Sequence, residues 1–278
     1  MTRSSVLPKS IIKVNAGGSQ AVDDMLAAEE PLEIRISYGA VNQTVQKSIS
    51  VTMRTPGNDF ELATGFLFTE GIIKSPDDIT SIKHCNGAHE NVVRVGLKDD
   101  LNVDLSKLER NFYTSSSCGV CGKSSIEAVR TVCRLPVSSI DNLQFPAEII
   151  YALPGILRGR QDIFENTGGL HACALFDTSA NLLLTREDVG RHNALDKLVG
   201  AALHQTLFPL DKSLLLLSGR ASFELIQKAW MAGIKIVAAV GAPSSLAVQM
   251  AEEFGMTLIG FLRHRVFNIY SGSHRIII

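Results

Sequence analysis

From Pro146 to Phe261 the chain alternates helix-like and strand-like stretches, and that rhythm leaves few folds open. Apolar residues recur at helical spacing over residues 146–157, 192–205, 223–232 and 244–254. Between them lie short apolar runs at residues 171–176, 182–185, 213–217, 234–240 and 257–261, each bounded by Gly, Ser, Pro or charge. Such runs predict buried strands. The order α-β-β-α-β-α-β-α-β predicts a largely parallel sheet covered by helices, because parallel neighbours need a long crossover.

The first half has a different texture. Leu32-Glu33-Ile34-Arg35-Ile36 alternates as a half-buried strand does, and residues 45–53 repeat the pattern, so the two are expected to pair. Thr55-Pro56-Gly57-Asn58-Asp59 predicts a turn into a helix capped by Asn58 or Asp59. That helix carries Leu62, Phe66 and Leu67 on one face and ends near Gly71. Residues 79–84 and 92–97 are further strand candidates, and a helix is expected over residues 124–133. The stretch up to Asn15 reads as a loose arm, with Ala16-Gly17-Gly18-Ser19 as a joint. The expected architecture is α/β (α+β overall). A flexible arm spans residues 1–20, a small α+β domain 21–138, and a layered α/β/α domain 139–278, with the boundary near residues 136–141.

Composition narrows the function classes. A chain of 278 residues, 45% of them hydrophobic, can bury a substantial core. A formal net charge of −1 argues against broad nucleic-acid or anionic-membrane binding, so an anionic ligand must meet a local basic patch. Five cysteines at irregular spacing do not form a secreted disulfide framework. The first residues lack an apolar signal core, and no run reaches the roughly 20 apolar residues of a membrane span. A soluble, cytoplasmic protein is expected.

The chemistry centres on Cys118-Gly119-Val120-Cys121-Gly122, preceded by Thr114-Ser115-Ser116-Ser117. Two thiols at this spacing can form a disulfide, bind a metal or carry a transferable sulfur. The glycines leave the backbone open to a partner, while Lys123 and an expected helix start favour thiolate. Structural zinc would need four ligands; only a mixed set of Cys118, Cys121, His171 and Cys173 offers them. A thioredoxin-type pair would open a helix after the first strand of a βαβ unit, a context this loop lacks. Cys85, Cys133 and Cys173 read as small core residues.

Further motifs sit where strands hand over to helices. They are Thr167-Gly168-Gly169-Leu170-His171, the charged run from Arg186 to Lys197, and Leu217-Ser218-Gly219-Arg220-Ala221-Ser222. Ala242-Pro243-Ser244-Ser245 and the segment Phe261-Leu262-Arg263-His264-Arg265-Val266 complete the set. His171 also suits an ordinary hydrogen-bonded strand end, and the charged run an ordinary helix start. Open α/β sheets place ligands at this rim, where helix N-termini receive anions. Together the motifs point to a large anionic ligand with more than one phosphate. Phe261, Leu262, Arg263, His264, Arg265 and Val266 are the leading contact segment, with Arg191, His192 and Arg220 in support.

These motifs, with Arg54-Thr55-Pro56-Gly57 and Glu61-Leu62-Ala63-Thr64-Gly65-Phe66-Leu67-Phe68-Thr69-Glu70-Gly71, resemble the FdhD family from about Glu29 to Tyr270. The resemblance implies a sulfur carrier that accepts sulfur from a cysteine desulfurase as a persulfide. It would pass that sulfur to the molybdenum (or tungsten) bis-pterin guanine dinucleotide cofactor before formate dehydrogenase receives it. It also implies a cytidine-deaminase-like second domain and a homodimer, in which the apolar Ile276-Ile277-Ile278 terminus would be buried. Cys118 is then the persulfide residue and Cys121 its support, and no tightly bound structural metal is expected. The deaminase zinc signature is absent, since His171-Ala172-Cys173 lacks its glutamate. A zinc-dependent hydrolase of the deaminase type and a non-catalytic cofactor chaperone are the alternatives.

Overall fold

The computed structural model describes residues 4–39, 44–85, 91–99, 101 and 143–278. Strands β1 (Val6–Asn15) and β2 (Gly18–Ala27) form an antiparallel hairpin where the sequence suggested a loose arm and a joint. Asn15, Ala16, Gly17 and Gly18 make the tight turn, with Gly18 at φ +134°, and the ten residues on each side pair throughout. The pattern was hidden because neither face is buried in a core, so no clean alternation marks it.

A four-stranded sheet follows: β3 (Glu30–Tyr38), β4 (Val45–Arg54), β5 (Ile79–His84) and β6 (Val92–Leu97), in the order β4-β3-β6-β5. Leu32, Ile34 and Ile36 of β3 are fully buried at alternate positions, as the pleat requires. They lie in one core with Leu62, Ala63 and Leu67 of helix α1 (Asp59–Thr69), whose N-cap is Asn58.

The second sheet has six strands in the order β13-β12-β11-β10-β8-β9. They are β8 (His171–Phe176), β9 (Leu182–Asp188), β10 (Leu214–Leu217), β11 (Ile236–Ala239), β12 (Thr257–Arg263) and β13 (Val266–Ser271). Only β10, β11 and β12 run parallel; β8, β9 and β13 pair antiparallel to their neighbours. The sheet is therefore mixed rather than largely parallel. The short links after Phe176 and Arg263 allow nothing but hairpins, because a parallel pair needs a crossover. The sequence reading missed β13 because its start follows the charged Arg263-His264-Arg265.

Alternate residues of each central strand face opposite layers. Ala172, Ala174 and Phe176 join Leu214, Leu216, Ile236 and Ala238 beneath helix α2 (Ala147–Arg158), which buries Ile150, Leu153 and Leu157. Cys173, Leu175, Leu215, Leu217 and Val237 face the other layer: α4 (Arg191–His204), α5 (Phe223–Met231) and α6 (Ser245–Glu253). A short helix α3 (Asp162–Thr167) lies between α2 and β8. Of the terminal isoleucines, Ile276 is 7% exposed, in strand β14 (Ile276–Ile277) beside β7 (Phe145–Pro146). Ile277 and Ile278 are exposed.

Helices α1 and α4 bring the first and second halves into one core. Their axes approach closely because Gly65 and Gly200 sit at the crossing. A Cβ on Gly200 would stand 1.9 Å from the Glu61 carbonyl oxygen, and one on Gly65 1.8 Å from that of Asp196. Buried ion pairs flank the contact. Lys228 Nζ reaches both Asp196 oxygens at 3.0 Å, Thr69 Oγ1 at 2.8 Å and Glu70 at 3.1 Å. Burial opposes the charge on Lys228, but Asp196 and Glu70 outweigh it and hold the amine above the usual lysine pKa. Arg186 makes a two-pronged pair with Glu61 across the same seam.

Backbone, not a flexible side chain, would meet a new Cβ at Gly200. Gly200→Val is therefore expected to destabilise the protein by about 3 kcal/mol or more. Gly155→Ala, on an open face of α2 with nothing within 4 Å, should be neutral or stabilising by up to about 1 kcal/mol. Thermal unfolding of the two variants beside the wild type checks both.

Candidate functional site

The parallel strands β10, β11 and β12 all end at one edge of the second sheet, where a backbone staircase continues them. Gly241 N donates to Gly219 O at 3.0 Å, and Phe261 N donates to Gly241 O at 3.1 Å. Because β8 runs the other way, its first residue, His171, arrives at this same edge, opposite Asp188 in the register. Ser218 ties the corner: its backbone N donates to Ala172 O, and its Oγ accepts from Ala172 N at 2.8 Å. A Cβ on Gly219 would lie 3.1 Å from His171 Nδ1, so only glycine lets the imidazole pack so closely on this strand end.

The charged run from Arg186 to Lys197 divides by role. Glu187 accepts from the backbone N of Ile163 and Phe164, capping α3. Asp188 and Asp196 turn inward. Asp188 is fully buried and meets Lys197 Nζ at 2.7 Å. It also accepts from Gly190 N, Asn193 Nδ2 and Thr55 N. Lys197 Nζ donates to Thr55 O at 2.8 Å, and Asn193 donates to Met53 O. The Arg54-Thr55-Pro56-Gly57 motif of the first half thus braces the start of α4. Arg54 itself is held by a two-pronged pair with Asp59 at 2.9 and 3.0 Å.

What remains for the rim is Arg191 and His192, at the N-terminus of α4 with no acidic residue in its first turn. The Arg191 guanidinium beside the positive end of a helix dipole makes an anion-seeking spot. Arg191 Nε is buried and has no partner among the described residues. His192 Nε2 meets Glu224 Oε2 at 2.7 Å, with Ser222 Oγ at 3.4 Å. Glu224 escaped the sequence reading; the signal was an acid in the first turn of α5, two residues past the cap Ser222. Arg220 is exposed, with its stem against Gly241. Burial chiefly, and then Arg191, His192 and Arg220, push the His171 pKa below its usual value, with Asp188 pulling the other way. His171 therefore shares this edge with His192 and with the Arg191 and Arg220 guanidiniums.

Phe261 to Val266 extends the rim as the end of β12 and the turn into β13. Phe261, His264 and Arg265 have φ of 55°, 52° and 58°, a left-handed conformation that bulky residues rarely adopt. His264 and Arg265 form a two-residue turn of the hairpin type, usually occupied by Asn or Gly. Phe261, Arg263, His264, Arg265 and Val266 are exposed, and the Arg265 guanidinium lies 5.3 Å from the centre of the Tyr151 ring. Leu262 is the exception: it is 1% exposed and packs under the sheet with Ile259, so its side chain is absent from the rim.

Cys118, Cys121 and Cys133 lie outside the described residues. Cys173 is buried among leucines; burial first, then Asp196 and Asp188, push its thiol far above the usual range, so it stays protonated. Cys85 is partly exposed. Among the described residues no group of three His, Cys, Asp or Glu side chains is placed to hold a metal ion. No described helix is long and apolar enough to cross a membrane.

Removing one partner of the Asp188–Lys197 pair would leave a buried charge uncompensated. Asp188→Asn is expected to cost about 3 kcal/mol of stability in denaturant unfolding. Arg220→Ala, at an exposed position, should change it by less than about 0.5 kcal/mol.

Residues 27–277 match the model of the FdhD/NarQ family. The chain is 51% identical over 274 residues to the sulfur carrier protein FdhD of Mycolicibacterium paratuberculosis, covering 96% of this chain and 97% of that one. It is 48% identical to the protein of the same name from Streptomyces coelicolor, over 96% and 94% of the two chains. A crystal structure assigned as a formate dehydrogenase accessory protein from Desulfotalea psychrophila superposes with a TM-score of 0.76. It covers 99% of this chain and 100% of its own at 24% identity, which is a likeness of fold. With a family match and full-length relatives at this identity, the chain belongs to the FdhD/NarQ family.

Proposed function

We propose that this protein is a sulfur carrier in the maturation of formate dehydrogenase. It takes sulfur from a cysteine desulfurase as a persulfide on Cys118 and passes it to the molybdenum (or tungsten) bis-pterin guanine dinucleotide cofactor, which is its substrate. The observation that carries this is the likeness to curated sulfur carriers along nearly their whole length, together with Cys118-Gly119-Val120-Cys121. The Cys118 thiolate attacks the outer sulfur of the donor's persulfide. A new S–S bond forms on Cys118 as the donor's S–S bond breaks and the donor cysteine leaves as thiolate, and the resulting persulfide is a stronger nucleophile than the parent thiol. Cys121 supports it by lowering its pKa or by assisting release. A homodimer is the proposed assembly.

The cofactor's guanine dinucleotide arms lie along the cationic rim. Arg263 and Arg265 at the hairpin turn meet phosphate oxygens, Phe261 offers a ring for stacking, and Arg191, His192 and Arg220 hold a second phosphate. The helix dipole of α4 and the unpaired Arg191 Nε support this placement.

Incubation with a desulfurase and cysteine, followed by peptide mass mapping, should find the extra sulfur on Cys118. Cys118→Ala should neither load there nor restore formate dehydrogenase activity in cells lacking the carrier; full activity of that variant overturns the assignment. For the rim, Arg263→Ala should weaken guanosine diphosphate binding at least about tenfold, roughly one charge-assisted hydrogen bond. Arg94→Ala, in the first half, should leave it unchanged. Equal affinity for wild type and Arg263→Ala overturns the placement.

A further inference from the structure

His171 sits within the rim, yet no step above uses it. Its surroundings are unusual for a solvent-facing histidine. It begins β8 at the sheet edge, packs its Nδ1 side against Gly219, and is only partly exposed. Three side chains bear on it from two other elements: Arg191 and His192 from α4, and Arg220 from the turn after β10. The carboxylates around it are already engaged. Asp188, its cross-strand partner, is bound by Lys197, and Glu224 of α5 is bound to His192. Within this cluster Arg191 Nε is buried without a partner among the described residues. The free protein therefore gathers the Arg191 and Arg220 guanidiniums near a ring whose protonation burial and those charges disfavour.

We propose that His171 is a ligand-binding residue of this rim that takes up a proton as a phosphate-bearing anion docks. The inference rests on the placement of phosphates at the rim proposed above. A docked phosphate neutralises Arg191 and Arg220, which removes the repulsion that disfavours imidazolium, and adds a negative partner for it. The proton comes from solvent and forms an N–H bond on the imidazole; no bond to the ligand is made and no electrons move. Binding and protonation then support each other, as linkage requires.

The sign follows directly. A ligand that prefers imidazolium raises the ring's pKa, so binding absorbs protons between the free and the bound midpoints. Below both midpoints the ring is already charged, and above both it stays neutral; uptake vanishes in either limit. Affinity should fall as pH rises through this window, by up to about tenfold per unit of pKa difference.

Calorimetric titration with guanosine diphosphate, repeated in buffers of different ionisation heat, counts the protons absorbed. Subtracting His171→Asn from wild type removes the contribution of the nucleotide's own phosphate. The expected difference is up to about one proton per nucleotide between the free midpoint, which lies below the ordinary histidine value, and the bound one, shrinking at pH 9. His171→Asn should bind with a flatter pH dependence and equal the wild type at pH 9. Identical uptake in both proteins overturns this proposal while leaving the rim in place. Absence of any binding to the wild type overturns the rim and this proposal together. Should His171→Asn fail to fold, the imidazole resonance of His171 followed by NMR in the wild type decides the matter. A move toward the imidazolium shift on adding nucleotide supports the proposal, and a static resonance overturns it.

Discussion

The close crossing of α1 over α4 is the contact on which the rest of the structure depends. Two helices can approach this near only where side chains are absent, and Gly65 and Gly200 meet the opposing backbones of Asp196 and Glu61. The crossing does more than bury apolar surface. It carries Thr55 to Asp188 and Lys197, and Thr69 and Glu70 to Asp196 and Lys228, so charges contributed by both halves complete each other. A buried ion pair of this kind adds little net stability over an apolar packing, but it is costly to break and admits few alternative registers. Helix α4 is held in one position, and its N-terminus with it.

That rigidity matters because the rim is a place of concentrated like charge. Arg191 opposes the dipole of its own helix, and it and Arg220 bear on the same histidine, His171. Charges so arranged destabilise the free protein and are tolerated only when the scaffold beneath is over-determined. The same reasoning covers the left-handed Phe261, held by its bond to Gly241 O, and His264 and Arg265, held between the paired Arg263 and Val266 and by Arg265 lying over Tyr151. A preorganised cationic edge is what a multiply charged anion needs, since no side chain must then be ordered on binding.

Much of the fold was legible from periodicity alone. The buried alternation of Leu32, Ile34 and Ile36 announced β3, and the apolar runs of β8, β10 and β11 announced the second sheet. Strand direction was not legible, because an apolar run reads the same for a parallel or an antiparallel neighbour; the length of each link decided it. The β1–β2 hairpin was missed for the opposite reason. Its order comes from backbone pairing along ten residues, and backbone pairing leaves no trace in side-chain pattern when both faces meet solvent.

The candidate site shows the same division. Residue type and position at strand ends were enough to nominate Arg191, His192, Arg220 and the segment from Phe261 to Val266, because anion chemistry at a sheet rim depends on local sequence. Which charges of the run from Arg186 to Lys197 reach the rim and which turn inward was decided by tertiary structure alone. Asp188 and Lys197 consume each other, and Thr55 closes the pair by donating to one and accepting from the other. Asp196 turns to Lys228, and Leu262 turns into the core by the pleat of β12. By itself the sequence determined the order of most helices and central strands and the family, and it nominated Cys118 and Cys121. The tertiary structure decided which polar groups are spent on holding the two halves together and which remain free to bind. A side chain's charge is local, whereas its partner depends on what the rest of the chain places within about 3 Å of it.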